Sequence, residues 1–368
     1  MKVVQVLPSL RGGGVEKGTL EVAKYLVDNG HDSLVVSAGG SMVSQLEAEG
    51  SRHIEWDLGK KSLLTFRHIW AFRRFLETEK PDILHLRSRM PAWVCWFAWK
   101  GMSPERRPKL VTTVHGLYSV SRYSQIMCQG EAVIAVSKTV QDYIFSNYPD
   151  TPKERVHLVY RGVDPEDFPH GYEPTDDWKE KFFAQFPEAQ GKKLLCLPGR
   201  LTRLKGQNDF IELIQRLTAE RDDIHGLIVG GEDPKRQEYA KELYRRVEEA
   251  GLSECISFTG ARSDIREIFA ISDIVYSLST KPESFGRTVL EALSLGRPVL
   301  GYDHGGVGEI LTSIYPAGRT QTSNGMALLD RTMRILSESP SLDRVSIFSK
   351  RQMLESTLST YRELTEIQ

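Results

Sequence analysis

Short hydrophobic runs rich in β-branched residues recur along the chain, and each is followed by a small or polar turn and then by helical periodicity. This alternation is typical of parallel α/β layers, whose strands are buried on both faces. The first series of runs lies within residues 2–160: KVVQVLP, SLVVS, DILHL, KLVTTVHG, AVIAVS and VHLVY. The second lies within residues 193–303: KLLCLPG, GLIVGG, ISFTG, DIVYSLS and RPVLGYD.

The segment 161–191 separates the two series, and its four prolines and lack of strand character predict a linker. We therefore expect two Rossmann-like domains, at about residues 1–170 and 185–345. Residues from about 345 to 368 have a helical pattern and are expected to pack back on the first domain. Ligands of open parallel sheets bind beyond the carboxyl ends of the strands, so two facing domains would form a cleft.

Composition and charge narrow the class of protein. With 368 residues, 40% hydrophobic and 26% charged, and a formal net charge of −1, the chain is expected to be globular and not to bind nucleic acid. Charge is nevertheless uneven, because residues 50–110 carry thirteen Lys/Arg against six Asp/Glu. Such a surplus favours contact with acidic lipid headgroups or with a phosphorylated acceptor.

The cysteines and the amino terminus indicate a reducing compartment. The four cysteines are widely spaced and form no Cys-x-x-Cys pair, which is typical of reduced structural thiols. The first apolar run is too short for a signal peptide, and no run reaches the ~18 apolar residues of a membrane span. We expect a cytoplasmic protein, with peripheral contact to the inner membrane through the basic region as a further hypothesis.

The most informative segment for chemistry is 281–306, KPESFGRTVLEALSLGRPVLGYDHGG. Its periodicity predicts a helix from about Phe285, whose first backbone amides, at 286–289, would converge on an anion such as a diphosphate. Glu283 lies just outside this helix end. Glu291 lies one to two turns inside it and can lean back toward a ligand. An ordinary amphipathic helix with solvated acids explains the segment equally well when it is considered alone.

Two cations follow the first strand of the second series, in the segment 198–207, PGRLTRLKGQ. Arg200 offers a bidentate fork and Lys205 a point charge, so together they can neutralise a departing diphosphate without a metal ion. Arg203 is interpreted as the solvated member of the three. A solvated basic turn is the alternative interpretation of the whole segment.

Two strand ends in the first series are candidates for ligand contact. His115 lies at the end of the fourth run, where its imidazole could hydrogen-bond a sugar hydroxyl or a departing oxygen, although a core or capping histidine is the alternative. Gly13 and Gly14 lie in a glycine-rich turn after the first run, which lets backbone approach a phosphate or a sugar. Their spacing does not match a dinucleotide fingerprint, and a tight βα turn is equally consistent with it.

Loops at other strand ends carry weaker signals. Gly230 and Arg262 lie in loops of the kind that contact a base or a ribose, but simple turn chemistry explains each of them too. Arg87 and Arg89 end the third run, close to several tryptophans, and could form an acceptor-binding or membrane-facing surface. The chain contains no glycosidase-like carboxylate pair, metal cluster, G-x-S-x-G elbow or Walker lysine loop, so we expect no metal and no cofactor.

Seven motifs together carry a family resemblance: GGGVEKG, LRSRMPAW, VTTVHG, AVIAVS, YRGVD, PGRLTRLKGQ and PESFGRTVLEALSLGRPVLGYDHGGVGEIL. The chain resembles the retaining GT-B glycosyltransferases of the glycosyl transferase group 1 family, and within it the bacterial lipopolysaccharide-core and cell-surface-polysaccharide members. The resemblance spans nearly the whole chain. It implies an α/β fold with two Rossmann-like domains, the acceptor held mainly by the first and the nucleotide sugar mainly by the second.

Carried over residue by residue, the resemblance implies that Arg200 and Lys205 hold the donor diphosphate and Glu291 the ribose. Glu283 would bind hydroxyls of the transferred sugar, and His115 would lie at the donor sugar. The catalytic residues would be these four: His115, Arg200, Lys205 and Glu283. The other donor-site residues would be Gly13, Gly14, Gly230, Arg262, Ser284, Phe285, Gly286, Arg287, Thr288 and Val289.

Such enzymes are metal-independent and retain anomeric configuration by front-face attack, in which the leaving phosphate helps to take the acceptor proton. The implied donor is a nucleotide sugar, with a UDP-sugar expected, and the implied acceptor is a saccharide or a lipid-linked molecule. The chain departs from the family at Arg161, where many members have Asn, and at the variant glycine loop 230–232. These departures bear on recognition of the base.

Two other functions remain open at this stage. The first is a nucleotide-sugar epimerase-like isomerase on a similar scaffold, which would need acid and base groups beyond Glu283 and His115. The second is a partner protein that kept the GT-B fold and lost its activity. The second is disfavoured by a charge pattern for which an inactive site has no physical need, that of Arg200, Lys205, Glu283 and Glu291.

Overall fold

The computed structural model describes residues 1–232 and 237–366. Its internal contacts divide the chain into two units. The first contains Met1–Arg161 together with the chain from Lys350 onward, and the second contains Gly162–Ser349. No helix of the described residues is long and apolar enough to cross a bilayer.

The first unit contains one parallel sheet. Its strands are β1 (Lys2–Val6), β2 (Asp32–Ser37), β3 (Arg52–Glu55), β4 (Ile83–Leu86), β5 (Lys109–Val114), β6 (Ala132–Ala135) and β7 (Val156–Leu158). They lie in the order β3-β2-β1-β4-β5-β6-β7. The direction of winding changes between β1 and β4, and ligands of doubly wound sheets bind at the carboxyl ends of such a pair.

Helices cover this sheet on both faces. They are α1 (Gly14–Asp28), α2 (Val43–Ala48), α3 (His68–Glu79), α4 (Arg89–Lys100), α5 (Arg122–Gln125) and α6 (Lys138–Asn147). Alternate strand residues enter different clusters, as the period of two requires. Val4 packs with Phe72 and Cys95 of α3 and α4, whereas Val3 packs with Val22 of α1.

The second unit contains a smaller parallel sheet. Its strands are β8 (Lys193–Pro198), β9 (Ile224–Val229), β10 (Ile256–Gly260), β11 (Ile274–Ser277), β12 (Val299–Tyr302) and β13 (Arg319–Thr320). They lie in the order β10-β9-β8-β11-β12-β13, so the winding changes between β8 and β11. The two parallel α/β sheets confirm the Rossmann-like architecture predicted from the alternating runs.

Within the described residues of the second unit there are seven α-helices: α7 (Asp176–Gln185), α8 (Gln207–Thr218), α9 (Gln237–Glu249), α10 (Ile265–Ile271), α11 (Arg287–Ser294), α12 (Gly305–Ile314) and α13 (Gly325–Glu338). Helix α7 lies inside the segment predicted as a linker. Its Trp178 stacks on Phe182 at 5.1 Å and donates from Nε1 to Asp264 at 2.9 Å. Prolines and acids on either side had hidden this helix in the sequence.

Helix α14 (Lys350–Glu366) belongs to the first unit. Its buried face packs on the β-sheet through Met353, Leu354, Leu358 and Tyr361, next to Val3, Ile83 and Val111. The helix begins later than the predicted residue 345, because Phe348 has φ 58° and Ser349 forms a β-bridge with Val163. The predicted end at Gln368 lies outside the described residues.

Candidate active site

The loops after β8 and β11 meet at the switch point of the second sheet. A Cβ atom on Gly206 would lie 2.1 Å from the carbonyl oxygen of Leu278, so only glycine allows this approach of the two loops. The amide of Thr280 donates to the carbonyl of Leu204 at 2.9 Å. Backbone contact therefore fixes the cation loop, residues 199–206, against the acid loop, residues 278–286.

This contact brings together two residues predicted for the site. The Nζ atom of Lys205 lies 2.7 Å from Oε1 of Glu283, and both side chains are partly buried. The hydroxyl of Ser279 donates to the same carboxylate oxygen. Lys205 and Glu283 had been predicted to hold different parts of a donor, the diphosphate and the sugar, and the structure shows them as an ion pair with each other.

The pair sets the ionisation of Glu283. Burial raises the pKa of this carboxyl group, but the charge and the hydrogen bond of Lys205, with the hydrogen bond of Ser279, lower it further than burial raises it. The net pKa lies below the ordinary value of glutamic acid. Glu283 is therefore an anion at neutral pH, and it can accept hydrogen bonds from sugar hydroxyls.

The start of α12 holds the acid loop from behind. The amide of Gly306 donates to the carbonyl of Glu283 at 2.8 Å, and Nε2 of His304 lies 2.7 Å from the carbonyl oxygen of Ser279. A Cβ atom on Gly306 would lie 2.3 Å from Cα of Phe285. The starts of α11 and α12 can therefore approach each other this closely only with glycine at this position. Glu283 and Ser279 are thus positioned through their backbone by the His-Gly-Gly sequence.

Helix α11 begins at Arg287, two residues after the predicted Phe285, because Gly286 caps it with a left-handed φ of 103°. The side chains of Phe285 and Val289 are buried, so they could meet a ligand only through backbone atoms. The Val289 amide donates to the carbonyl of Gly286 at 3.1 Å and is already used within the helix. Ser284 and Thr288 are half-buried next to this helix start.

Glu291 is 5% exposed, which is unusual for an acid. Nε of Arg287, one turn earlier in α11, donates to its Oε1 at 3.1 Å. This hydrogen bond fixes the carboxylate toward the amino-terminal end of the helix. The predicted direction of Glu291, back toward a ligand at that end, agrees with this contact.

Arg200 and Gly230 complete the same edge of the sheet. Arg200 is exposed, and its backbone carbonyl accepts from Nε2 of Gln207 at 3.1 Å, which anchors the loop while the guanidinium faces solvent. A Cβ atom on Gly230 would lie 2.0 Å from the carbonyl oxygen of Gly199. Gly230 thus allows the loop after β9 to pack against the cation loop.

Arg262, in contrast, is engaged elsewhere in the second unit. Its guanidinium donates to both carboxylate oxygens of Asp264, at 2.8 and 2.6 Å, and to Oε1 of Gln185 at 3.0 Å. These contacts tie α7 to the loop before α10. Turn chemistry, the alternative left open for Arg262, accounts for this geometry.

In the first unit His115 follows β5, and its Nδ1 accepts a hydrogen bond from the guanidinium of Arg161. Burial lowers the pKa of His115 well below its ordinary value, and the charges of Arg161 and Arg87 lower it further. The imidazole is therefore neutral and carries its proton on Nε2. Among the described residues this Nε2 is buried and has no hydrogen-bond partner.

The two arginines proposed for the acceptor differ in position. Arg87 is 3% exposed and donates to Oε1 of Gln5, so it lies in the interior of the first unit. Burial lowers the pKa of Arg87 to about 10. Arg89 is half-buried at the start of α4, where its guanidinium lies 4.4 Å from the ring of Tyr118. Of the two, Arg89 is the one nearer the surface.

Gly13 and Gly14 lie exposed at the start of α1. Gly13 has φ 148°, and a Cβ atom there would lie 2.6 Å from Oε2 of Glu16. The carbonyl of Gly13 accepts from the amide of Lys17 at 2.9 Å, so it is the first acceptor of the helix. The turn thus presents bare backbone at a helix amino terminus, as the sequence predicted.

Two family models match the chain, one in each half. Residues 12–167 match Glycosyltransferase Family 4, and residues 179–352 match Glycosyl transferases group 1. Together the two matches show that the chain is a glycosyltransferase. A curated relative, the N-acetyl-alpha-D-glucosaminyl L-malate synthase of Bacillus anthracis, is 25% identical over 328 residues, which cover 83% of this chain and 79% of that protein.

Solved structures confirm the GT-B fold of this glycosyltransferase. A glycosyltransferase from Rickettsia africae ESF-5 superposes with a TM-score of 0.87 at 28% identity, over 100% of this chain and 99% of that one. Anabaena HepE in complex with UDP and glucose superposes with a TM-score of 0.80 at 20% identity, over 100% and 98% of the two chains.

Sequence reasoning missed two residues that shape the site of this glycosyltransferase, Ser279 and His304. Each carried a local signal. Ser279 lies two residues beyond the end of the buried strand β11, at the carboxyl edge of the sheet, and His304 precedes the two glycines that begin α12. The role of Arg161 was also missed, since the departure at this position had been connected with the base and not with His115.

Proposed function

We propose that this glycosyltransferase transfers a sugar from a nucleotide-sugar donor, expected to be a UDP-sugar, to a saccharide or lipid-linked acceptor. The observation that carries the proposal is the ion pair of Lys205 and Glu283 at the switch point of the second sheet, beside the start of α11. A cation and an anion at one strand edge match the two ends of such a donor, its diphosphate and its sugar hydroxyls. The complex of Anabaena HepE with UDP and glucose supports this donor class.

Donor binding would separate Lys205 from Glu283 and give each of them a new partner on the donor. The diphosphate attracts Lys205 and Arg200, while the sugar hydroxyls replace Lys205 as donors to Glu283. Glu291, held by Arg287, would accept from the ribose hydroxyls. His115 would donate from Nε2 to the sugar, because its Nδ1 is occupied by Arg161.

We propose a retaining reaction that needs no metal ion. Arg200 and Lys205 supply two positive charges where the leaving diphosphate gains negative charge, so they can perform the electrostatic work that a divalent cation does in other enzymes. The leaving phosphate would take the acceptor proton on the same face of the sugar. In this proposal Glu283, an anion that accepts a hydrogen bond from Ser279, binds the sugar and does not attack the anomeric carbon.

The proposed setting is lipopolysaccharide or cell-surface glycan synthesis at the cytoplasmic face of the membrane. The family motifs favour this branch, and the charge surplus of residues 50–110 supports an acidic or membrane-bound acceptor. Arg89, with its guanidinium over Tyr118, is the better placed of the two acceptor candidates.

A thermal-shift screen tests the proposed reaction. The purified protein is heated with UDP, GDP, ADP or CMP and with their common sugar conjugates, each with and without EDTA, because a ligand of the folded state raises its apparent stability. Stabilisation by uridine nucleotides that EDTA leaves unchanged is the expected result. The hits are then assayed for sugar transfer and for the anomeric configuration of the product.

Two outcomes contradict the proposal. Loss of stabilisation in EDTA would overturn metal independence, and absence of any nucleotide effect on folded protein would favour a partner that has lost its activity.

The role of Lys205 is tested with Lys205→Ala, and Arg203→Ala is the matched control. Arg203 lies on the same loop but is exposed and paired with Glu242 at 2.6 Å.

A further inference from the structure

A hydrophobic and basic surface lies in the first unit where the 3-10 turn Leu63–Arg67 meets α3 and α4. Four large hydrophobic side chains there are exposed: Leu63 by 87%, Leu64 by 72%, Trp70 by 72% and Phe97 by 39%. Exposed cations lie among them. The docking face is defined as these residues: Lys61, Leu63, Leu64, Arg67, Trp70, Arg74, Phe97 and Lys100.

The two leucines are presented by a fixed turn. The hydroxyl of Ser62 accepts from the amide of Leu64 at 3.2 Å, and the hydroxyl of Thr65 donates to the carbonyl of Lys60 at 2.8 Å. Thr65 takes the inward position and is buried. The hydrogen bonds of the turn thus direct Leu63 and Leu64 outward, although a leucine would normally take the buried position.

The face is continuous across the three elements. The ring of Phe97 lies 6.1 Å from Phe66 of the turn and 5.1 Å from Trp96, between ring centroids. At the other end, the guanidinium of Arg73 lies 4.7 Å from the ring of Trp70. This guanidinium also packs against Gly101, at the position that a Cβ atom on Gly101 would take. Arg73 therefore connects Trp70 of α3 to the end of α4.

The charge of this region is strongly positive. Residues 60–107 carry eleven Lys/Arg against four Asp/Glu. Besides Arg73, two of these cations lie over indole rings, Lys100 over Trp96 at 4.6 Å and Arg107 over Trp99 at 4.4 Å. Tryptophan beside lysine or arginine is typical of the membrane interface, where the ring lies at headgroup depth and the cation meets phosphate.

We propose that the docking face binds the surface of an anionic phospholipid bilayer. Leu63, Leu64 and Trp70 enter the headgroup region, and the surrounding cations contact lipid phosphates. The two protruding leucines and the surplus of positive charge fit a lipid surface better than a protein partner. A protein partner would need a pocket for the leucines and several carboxylates for the cations. Binding of this kind holds an enzyme next to a lipid-linked acceptor, but it does not depend on the proposed reaction.

Vesicle flotation with the full chain tests the proposal. The vesicles contain phosphatidylcholine alone or about 70% phosphatidylcholine with about 30% phosphatidylglycerol, because anionic lipid creates the negative surface potential that attracts basic segments. We expect flotation with the anionic vesicles, weakened by salt, and little with the neutral ones. The double variant Leu63→Ser/Leu64→Ser is expected to bind at least about tenfold more weakly, since most of the inserted apolar area is lost.

Matched variants separate this face from general surface effects. Val120→Ser and Met326→Ser remove side chains that are 59% and 58% exposed outside the face, and both should bind like the wild type. Arg67→Gln/Arg74→Gln should weaken binding to anionic vesicles, whereas Lys241→Gln/Arg245→Gln on α9 should not. Trp70→Ser provides a second variant at the face if the leucine pair affects folding.

The results that would overturn the proposal are distinct. It fails if the wild type does not float with anionic vesicles, if neutral vesicles bind it equally well, or if the leucine and Trp70 variants bind like the wild type. It also fails if the leucine variant dissociates a dimer in solution, since the face would then be a protein interface. Nucleotide thermal shifts measured on the same variants report the donor site independently and should be unchanged.

Discussion

Lys205 and Glu283 lie 78 residues apart in sequence and 2.7 Å apart in space, and each determines the state of the other. A partly buried carboxylate is kept ionised by the cation, and the cation is kept in place by the carboxylate. A ligand that separates them must therefore supply both an anion and hydrogen-bond donors. A sugar diphosphate supplies both, with phosphate oxygens for Lys205 and sugar hydroxyls for Glu283.

Replacing Lys205 by Ala should cost about 2–4 kcal/mol in transition-state stabilisation, measured as the fall in kcat/KM. The pKa of Glu283 should also rise, because burial remains while the attraction of Lys205 is lost. The acidic limb of the pH–rate profile should therefore move to higher pH. A Lys205→Ala enzyme with wild-type kcat/KM would contradict the assigned role, and Arg203→Ala should be close to wild type.

Ser279→Ala tests how far Glu283 depends on its second hydrogen bond. We expect KM for the donor to rise by a factor that corresponds to about 0.5–1.5 kcal/mol, the usual net contribution of one hydrogen bond, with a smaller change in kcat. Ser294→Ala is the matched control, since that hydroxyl donates to the carbonyl of Leu290 within α11, at 2.8 Å. Equal effects of the two substitutions on KM would mean that Ser279 has no positioning role.

At the scale of elements, the starts of α11 and α12 are in contact because Gly306 has no side chain. Gly306→Ala would place a methyl group 2.3 Å from Cα of Phe285 and should destabilise the protein by about 1–3 kcal/mol through overpacking. Nucleotide affinity should fall as well, because the amide of Gly306 holds the carbonyl of Glu283. Both quantities are read from thermal melts with and without UDP.

Gly325→Ala is the control for that substitution. Gly325 begins α13, and a Cβ atom there would have no heavy atom within 4 Å. Alanine favours helix over glycine, so this variant should be neutral or slightly more stable. If Gly306→Ala behaved in the same way, the contact between the two helix starts would not be essential.

A buried histidine makes the contact between α14 and the sheet dependent on pH. His85 of β4 lies 2.6 Å from the hydroxyl of Tyr361 and 2.6 Å from that of Thr113. Burial lowers its pKa well below the ordinary 6.5, and the charges of Arg87 and Arg161 lower it further. The unfolded chain therefore binds a proton that the folded one excludes, so stability is full above about pH 6.5 and is lost as pH falls.

Two variants separate titration from packing. His85→Gln should be less stable at neutral pH, but its free energy of unfolding should change less between about pH 7.5 and about pH 5.5. Tyr361→Phe should lose about 1–3 kcal/mol by leaving a buried ring nitrogen unsatisfied, and it should keep the pH dependence. Denaturant unfolding at several pH values measures both. The same slope for wild type and His85→Gln would contradict the assignment.

The sequence predicted the strands with a buried hydrophobic pattern and missed the two that lack it. Both missed strands, Arg52–Glu55 and Arg319–Thr320, are edge strands of their sheets, short and partly polar, so they bury little and carry no alternating signal. Helix α7 was missed because local prolines and acids outweighed Trp178 and Phe182. Burial by tertiary contacts, which no local pattern contains, decides these elements.

Part of the candidate site could likewise be predicted from the sequence, and part of it could not. Residue types at strand ends identified Lys205, Glu283 and Glu291 as candidates, since topology brings carboxyl ends to one edge. Their pairing was not predictable, because it depends on the contact of Gly206 with the backbone of Leu278. Arg262 shows the reverse case, in which a plausible strand-end cation is held by Asp264 and Gln185.

At the scale of the whole molecule, the second unit is one continuous segment, Gly162–Ser349, inserted into the first. The two connections run side by side, since the amide of Val163 donates to the carbonyl of Phe348 at 3.1 Å. Helix α14 follows the second unit in sequence and belongs to the first unit. Each unit has its own hydrophobic core, with Leu354 in one and Leu213 in the other.

A substitution that destabilises one hydrophobic core should leave the stability of the other unit unchanged. Amide hydrogen exchange along the chain can test this. Leu354→Ala/Leu358→Ala removes buried leucines of α14, and each should cost about 2–5 kcal/mol. Exchange should rise in β4 and β5, which are distant in sequence, and should stay unchanged in β8 and β11, where UDP should still protect the start of α11. Leu213→Ala/Ile214→Ala should give the reciprocal pattern. Equal rises in both sheets for either variant would mean that the units unfold together, and the donor site could then be weakened from any part of the chain.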